Sequence, residues 1–377
     1  MELNELYISL LIGALKALLG ITFLLALAAV NTWFERKVSA LIQNRTGANR
    51  ASLFGMDLAG LVNTLVCDPL KAFLKEDWVP KGVSQFMHCL PVFFAVFPVL
   101  LCIAAIPFAP PLTALGLEIS LQVTNLNAGL LFVFAFGSLA VLGVLLAGYV
   151  SNNKFALFGG LRAVAQMVSY EVVLGLSALS MLIIYRSLDL QDMVLAQSGT
   201  FYGLPNWGIF LNPLAFFIFF TAMMAETKRA PFDLPESESE LVAGYLTEYS
   251  GMKFLLFWLS EFAEIVICAC LVSIIFLGGW QLPYFDITTI TSDWGGVLPD
   301  WFNRMNFQWA PLLGAGIFGL KVTAMCVLQI IIRWTLPRFR YDQLMSFCWK
   351  ILFSLCILNL VGTAILMLSG GYNIWEA

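Results

Sequence analysis

Charge is what this chain has least of: Asp, Glu, Lys and Arg make up 12% of its 377 residues. A soluble domain carries about twice that share. There is one histidine, His88, so neither a His-based metal site nor a His-dependent triad is available. The eight cysteines form no C-x-x-C pair, and Cys268 and Cys270 would stand about 200° apart on a helix. They read as buried thiols acting as small apolar side chains. No strand pattern is evident, and so no Gly-rich nucleotide fingerprint stands between a strand and a helix. The chain is therefore expected to hold no flavin, iron–sulfur cluster, metal or nucleotide, and to bind no nucleic acid. Any redox step it serves falls to a neighbour. The N-terminus has neither a basic region nor a small-residue cleavage site, so its first apolar run reads as an anchor and not a signal peptide.

What the chain does have is apolar residues, 60% of the total. A membrane span needs about 20 mostly apolar residues. Eight candidates stand near 8–30, 86–107, 128–150, 168–186, 211–226, 254–278, 311–333 and 346–368. The expected fold class is all-α: a polytopic membrane protein of about eight transmembrane helices plus short amphipathic helices, forming a single membrane domain over 1–377. Most lysines and arginines fall in the loops 31–85, 151–167, 227–253 and 334–345. The opposite loops, 187–210 and 279–310, contain Arg304, with Arg186 at their edge, and are rich in Trp and Tyr, among them Tyr202, Trp207, Trp280 and Trp294. The positive-inside rule then places the basic loops in the cytoplasm and both termini outside.

One stretch concentrates the scarce charge. Residues 225–251 read AETKRAPFDLPESESELVAGYLTEYSG, and carry Glu226, Asp233, Glu236, Glu238, Glu240 and Glu248 against Lys228 and Arg229. Pro231 and Pro235 prevent a continuous helix, so the segment is expected to be a loop with short helical pieces. Two readings of its acids stand side by side: a solvated loop, or a loop facing cations or a proton path between membrane spans. In length and composition the stretch resembles the characteristic loop of one family, the quinone-site membrane subunit of respiratory complex I, found in bacteria and mitochondria.

Other segments are similar to the same family. Trp33-Phe34-Glu35-Arg36-Lys37 ends the first span, where basic residues also suit simple snorkelling to the interface. Gln43-Asn44-Arg45-Thr46-Gly47-Ala48-Asn49-Arg50 resembles a GPNR-type loop, with Ala48 in place of the usual proline. Apolar residues from Phe54 to Val66 recur at helical spacing, predicting an interfacial amphipathic helix interrupted at Pro69. Asp68-Pro69-Leu70-Lys71 and Lys75-Glu76-Asp77 follow, similar to the family's ADPLK…KED segment. The loop from Ser151 to Gln166, with Gly159 and Gly160 allowing close backbone approach, is again close to family wording.

Acids inside spans must pair, neutralise or line a wet cavity. Glu171 is one, with Arg162 as a candidate partner. Glu261 and Glu264, three apart, share a helix face, an arrangement that suits reversible protonation. Lys16 and Lys321 lie within spans without an evident partner in sequence. In the third span Ser138 stands where many family members carry an acid, so the family's acidic chain is expected to be shorter here or bridged by water.

The resemblance implies a subunit of the proton-translocating NADH:quinone oxidoreductase, with the electron-transfer centres on partner subunits. No catalytic residue is assigned to this chain. Quinone would enter from the lipid and be reduced at the adjoining iron–sulfur subunit. Glu35, Arg36, Arg45, Asp68, Lys71 and Phe232 would line or shape its channel. Glu171, Glu226, Asp233, Glu236, Glu238, Glu240, Glu261 and Glu264 would couple quinone chemistry to proton translocation. NADH, FMN and iron–sulfur clusters would be held by partners. Those partners are the quinone-site iron–sulfur subunit, its neighbour in the soluble arm and the small antiporter-adjacent membrane subunits, in the bacterial inner membrane. An ion transporter without redox chemistry would more naturally show two related halves. A purely structural anchor leaves Glu171 and Glu261 without a reason. The membrane subunit of an energy-converting hydrogenase shares part of these motifs; the completeness of the loop after Glu226 favours the quinone enzyme.

Overall fold

Apolar runs of span length become long helices. The structure, a computed structural model, describes residues 2–49, 60–114, 117–201, 203–235, 242–284 and 310–369. In chain order its α-helices are α1 (Glu2–Ile42), α2 (Asp68–Leu74), α3 (Gln85–Cys102), α4 (Gly129–Val150), α5 (Lys154–Tyr185) and α6 (Leu190–Ala196). Then come α7 (Gly208–Leu211), α8 (Pro213–Glu226), α9 (Gly251–Phe276), α10 (Ala310–Thr335), α11 (Tyr341–Ser346) and α12 (Phe353–Leu368). A π-helical stretch, Phe347–Leu352, joins α11 to α12. Boundary residues do their usual work: Ser84 Oγ accepts from Met87 N at 3.3 Å to start α3. Asn153 Oδ1 accepts from Phe155 N at 3.1 Å to start α5, and a left-handed Arg186 ends it.

Among the described residues seven helical stretches are long and apolar enough to cross a membrane: Leu10–Ile42, Gln85–Ala105, Gly129–Val150, Lys154–Tyr185, Gly251–Phe276, Pro311–Thr335 and Tyr341–Leu368. The architecture is all-α. Strand pairing among the described residues is confined to two small antiparallel hairpins, Leu112–Ala114 with Leu117–Ile119 and Thr200–Phe201 with Leu204–Pro205. The remaining expected span, 211–226, differs from the other seven. Its helix α8 has 14 residues, about 21 Å long, against about 30 Å of hydrocarbon in a bilayer. Asn212, with φ −142° and ψ 78°, breaks it from α7, and its side chain caps α8 by accepting from Ala215 N at 3.0 Å.

The helix break expected at Pro69 does not occur. Helical backbone continues from Leu61 into α2 through a π turn at Asn63–Cys67, where Asp68 N donates to Asn63 O. Pro69 lies in the first turn of α2, and the π turn falls where its missing donor interrupts the hydrogen-bond ladder. The start of that expected amphipathic helix, 54–59, lies outside the described residues.

Helix α9 is the central post, buried almost throughout, with α1, α3 and α10 packed around it. From α3 the bundle continues through α4 and α5 to α8 and α12. Small residues set these approaches, as they do where lipid supplies no hydrophobic drive between helices. A Cβ on Gly159 would stand 2.7 Å from Gly244 Cα, and one on Gly143 would stand 2.7 Å from Ala95 N. His88 is buried at the start of α3, 3.0 Å from Lys253 Nζ through Nδ1 and stacked on Tyr249 at 4.4 Å. Lys253 in turn meets Asp77 at 2.8 Å.

Candidate functional site

Helix α8 ends in the protein interior, so the residues after it cannot be solvated as an ordinary loop is. Lys228, Arg229, Phe232 and Asp233 are all buried, at 5%, 7%, 5% and 7% exposure. Buried cations are rare unless paired, and these are paired. Arg229 reaches Glu35 on α1 and Glu261 on α9, each at 3.3 Å, and its guanidinium stacks over the Phe262 ring at 4.3 Å. Arg333 on α10 also pairs with Glu35. Tyr245 Oη donates to Glu261 at 2.7 Å. Lys228 Nζ stands 3.7 Å from Glu264. Asp233 pairs with Arg338 at 2.6 Å. Burial pushes the Asp233 carboxyl above the usual carboxylate range, with Arg338 and then Arg333 pulling the other way.

The turn carrying these charges is fastened by one amide. Gln166 Nε2 on α5 donates to Ala225 O at 2.8 Å and to Phe232 O at 2.7 Å. Phe339 N donates to Pro231 O at 3.1 Å. Phe232, expected to shape a channel, packs between Tyr170 and Phe339, with ring centroids 5.7 Å away on either side. It is a core residue of the turn.

Beneath the turn lies a cavity of about 80 Å³, lined by Ser138, Glu171, Glu226, Glu264, Cys102 and Cys268 among apolar side chains. That volume accommodates a few water molecules. Four elements meet there, since Ser138 is on α4, Glu171 on α5, Glu226 on α8 and Glu264 on α9. Ser138 Oγ touches both the Glu171 carboxyl and Phe134 O, the latter at 2.9 Å. A hydroxyl has one proton, so it either donates to an ionised Glu171 or accepts from a protonated one while donating to Phe134 O. Arg162, the expected partner of Glu171, is nine residues earlier on the same helix, about 13.5 Å along the axis and out of its reach. Ser138 takes that place.

Toward the end of α1, Arg36 meets Asp68 of α2 at 2.5 Å, both partly exposed. Lys71 projects from α2 into the surroundings, and Arg45 Nε donates to Gln43 Oε1 at 2.7 Å on an exposed turn. Glu35, Arg36 and Asp68 therefore share one region, while Arg45 and Lys71 lie on its exposed rim. Glu236, Glu238 and Glu240 lie outside the described residues.

Two lysines within spans find partners of a kind sequence does not advertise. Lys321 Nζ donates to three backbone carbonyls, of Leu277 at 2.6 Å, Gly279 at 2.9 Å and Gln281 at 2.6 Å, and sits 4.4 Å from the Trp207 ring. These carbonyls follow the C-terminus of α9, where a cation complements the helix dipole. Lys16 donates to Ser120 at 3.1 Å. Arg333 and Tyr245 are site residues that nothing in the sequence singles out. Lys228 and Arg229 read in sequence only as neighbours of the acidic loop, because their burial leaves no local mark.

Known proteins resemble this chain across nearly its whole length. An H subunit, numbered 2, of the NADH-quinone oxidoreductase of Koribacter versatilis is 43% identical, over 94% of this chain and 97% of its own. The correspondingly numbered H subunit from Geobacter sulfurreducens is 41% identical over 96% and 98%. The H subunit of the Thermomicrobium roseum NADH-quinone oxidoreductase is 39% identical over 98% and 99%. The family model described as NADH dehydrogenase matches residues 15–364. The chain belongs to the NADH dehydrogenase family, the one that includes these oxidoreductase subunits.

Proposed function

We propose that the chain is the membrane subunit of a proton-translocating NADH-quinone oxidoreductase that forms much of the quinone path and couples quinone reduction to protonation of buried carboxyls. One observation carries this reading. The charges around Glu35 at the end of α1 continue through Arg229 and Glu261 to Lys228 and Glu264, and Glu264 opens onto the acid-lined cavity. A region suited to a polar quinone head thus connects directly to groups that exchange protons.

The chemistry at each end follows from the residues. Arg36 and Asp68 form a partly exposed ion pair between α1 and α2, a place where a quinone oxygen meets a charged donor. Reduction of a quinone by two electrons takes up two protons. The cavity faces three carboxyl groups, Glu171, Glu226 and Glu264, with Lys228 as the nearby ammonium. Acids within spans pair, neutralise or line a wet cavity, and in this reading the three exchange protons as the charge around them changes. Ser138 accommodates either state of Glu171 by turning one hydroxyl. The electron carriers, quinone-reducing centre and NADH site belong to partner subunits in this reading. In this reading α8 crosses together with the seven longer helices, the basic loops face the cytoplasm of a bacterial cell, and both termini lie outside.

Arg36→Ala tests the quinone path. In membranes with a normal amount of complex, the apparent KM for quinone is expected to rise about tenfold, corresponding to loss of a charged hydrogen bond. Unchanged quinone kinetics in a fully assembled variant removes Arg36 and the α1–α2 region from the path.

A further inference from the structure

We propose that Lys228 and Arg229 work as one lever, tying the charge state at Glu35 to that at Glu264. The inference rests on the coupling reading above and assigns to this pair of residues the link between its two halves. Both cations are buried, and they are consecutive in the chain, so a displacement of the backbone at one is felt at the other. Arg229 stands between two acids at equal distance, Glu35 and Glu261 at 3.3 Å each. Lys228 stands 3.7 Å from Glu264, in an ion pair longer than a hydrogen bond. Glu261 and Glu264 are three residues apart on one face of α9, itself the fixed post of the bundle.

The two cations serve different compartments. Arg229 lines a small pocket with Glu35, Met224, Thr227, Gln329 and Arg333. The partner of Lys228, Glu264, lines the cavity with Ser138, Glu171 and Glu226. Lys228 holds a left-handed backbone, φ +54°, a region a lysine seldom adopts and one that surrounding contacts must impose. A change of charge or position at Glu35 alters the balance of Arg229 between its two acids. The shared peptide carries that displacement to Lys228 and changes its distance to Glu264. Proton occupancy of the cavity then follows, because a counter-charge at this range governs which carboxyl form is favoured. Lys228 is a positioning residue in this scheme: it touches no quinone and acts through Glu264.

The experiment uses the whole complex in native membranes and four variants: Lys228→Met, Lys228→Arg, Glu264→Gln and Lys228→Met with Glu264→Gln. With complex content matched, Lys228→Met is expected to lower quinone-linked turnover about tenfold or more, shift the pH–rate profile by about one unit, and leave the quinone KM unchanged. Lys228→Arg keeps the charge and is expected to recover most of the turnover with a displaced profile. The double variant is expected to be no slower than Lys228→Met alone, because the pair acts as a unit. Wild-type turnover and pH profile in Lys228→Met, or strictly additive losses in the double variant, overturn the lever. Should Lys228→Met fail to assemble, Lys228→Arg decides: a pH profile and proton-to-electron ratio identical to wild type overturn it equally. Failure of the quinone-path half of the underlying reading registers elsewhere, in an unchanged quinone KM for Arg36→Ala, whereas failure of the lever alone leaves that KM raised.

Discussion

Glu35 is held by two arginines that come from far along the chain, Arg229 at a separation of 194 residues and Arg333 at 298. One carboxylate thereby joins α1, the turn after α8, and α10. Removing one partner of a fully buried pair costs about 3–5 kcal/mol, and Glu35, which is only partly buried, is expected to cost less. Glu35→Ala is expected to lower the thermal inactivation midpoint and the amount of assembled complex, with Glu35→Gln milder because its amide oxygen still accepts. Equal stability of Glu35→Ala and wild type in detergent-solubilised complex would show that the clasp contributes nothing.

Asp233 gives a pH signature. Burial raises its carboxyl above the ordinary range despite the guanidinium of Arg338. An acid whose value is raised on folding binds more protons in the folded chain than in the unfolded one. Its contribution is full below the ordinary value of about 4 and declines as pH rises through the raised value. Asp233→Asn has no such decline. The stability advantage of wild type over Asp233→Asn is therefore expected to shrink as pH increases from about 4, measured as the gap between inactivation midpoints. Parallel curves, or a gap that widens, contradict the assignment.

Lys321 closes the end of α9 against α10 through three carbonyls. Lys321→Met fills a similar volume but leaves those acceptors unmet, a loss of about 1–3 kcal/mol. Greater protease sensitivity near residues 277–281 is expected in the variant, with Lys321→Arg intermediate. Identical cleavage patterns in all three proteins would exclude the capping role.

Orientation is open to direct chemical test. Thr46 lies on an exposed turn after α1, on the basic side of the bundle. In a background without other reactive thiols, Thr46→Cys is expected to resist a membrane-impermeant maleimide in intact cells and to react in inverted vesicles. The opposite pattern reverses the topology.

The span-length helices are legible in sequence because hydropathy is a local property, and their apolar runs announce themselves within about 20 residues. Glu35, Glu261 and Glu264 are legible for the related reason that a charge inside or beside an apolar run stands out. Their pairings are not: no local pattern connects Glu35 with Arg333, and only the arrangement of α1, α9 and α10 does. Arg162 looks like a partner for Glu171 because it is near in sequence, while Ser138, on another helix, is nearer in space. Pro69 reads as an interruption because sequence shows the missing donor but not the π turn that precedes it. Lys321 invites a search among carboxylates, and backbone carbonyls, which every residue carries, leave no trace in composition.

The double hydrogen bond of Gln166 to Ala225 O and Phe232 O has a consequence for how the turn is ordered. It pins both ends of a short segment to one point on α5, so the loop-closure entropy of that segment is offset by a neutral amide rather than by the ions it carries. The charges in between are consequently preorganised: their ion pairs form without first having to order the backbone beneath them. Gln166→Leu would remove no charge from the site, yet it would return that ordering cost to the ions themselves. The amide thus acts as a reversible crosslink, made from a side chain that carries no charge and no redox chemistry.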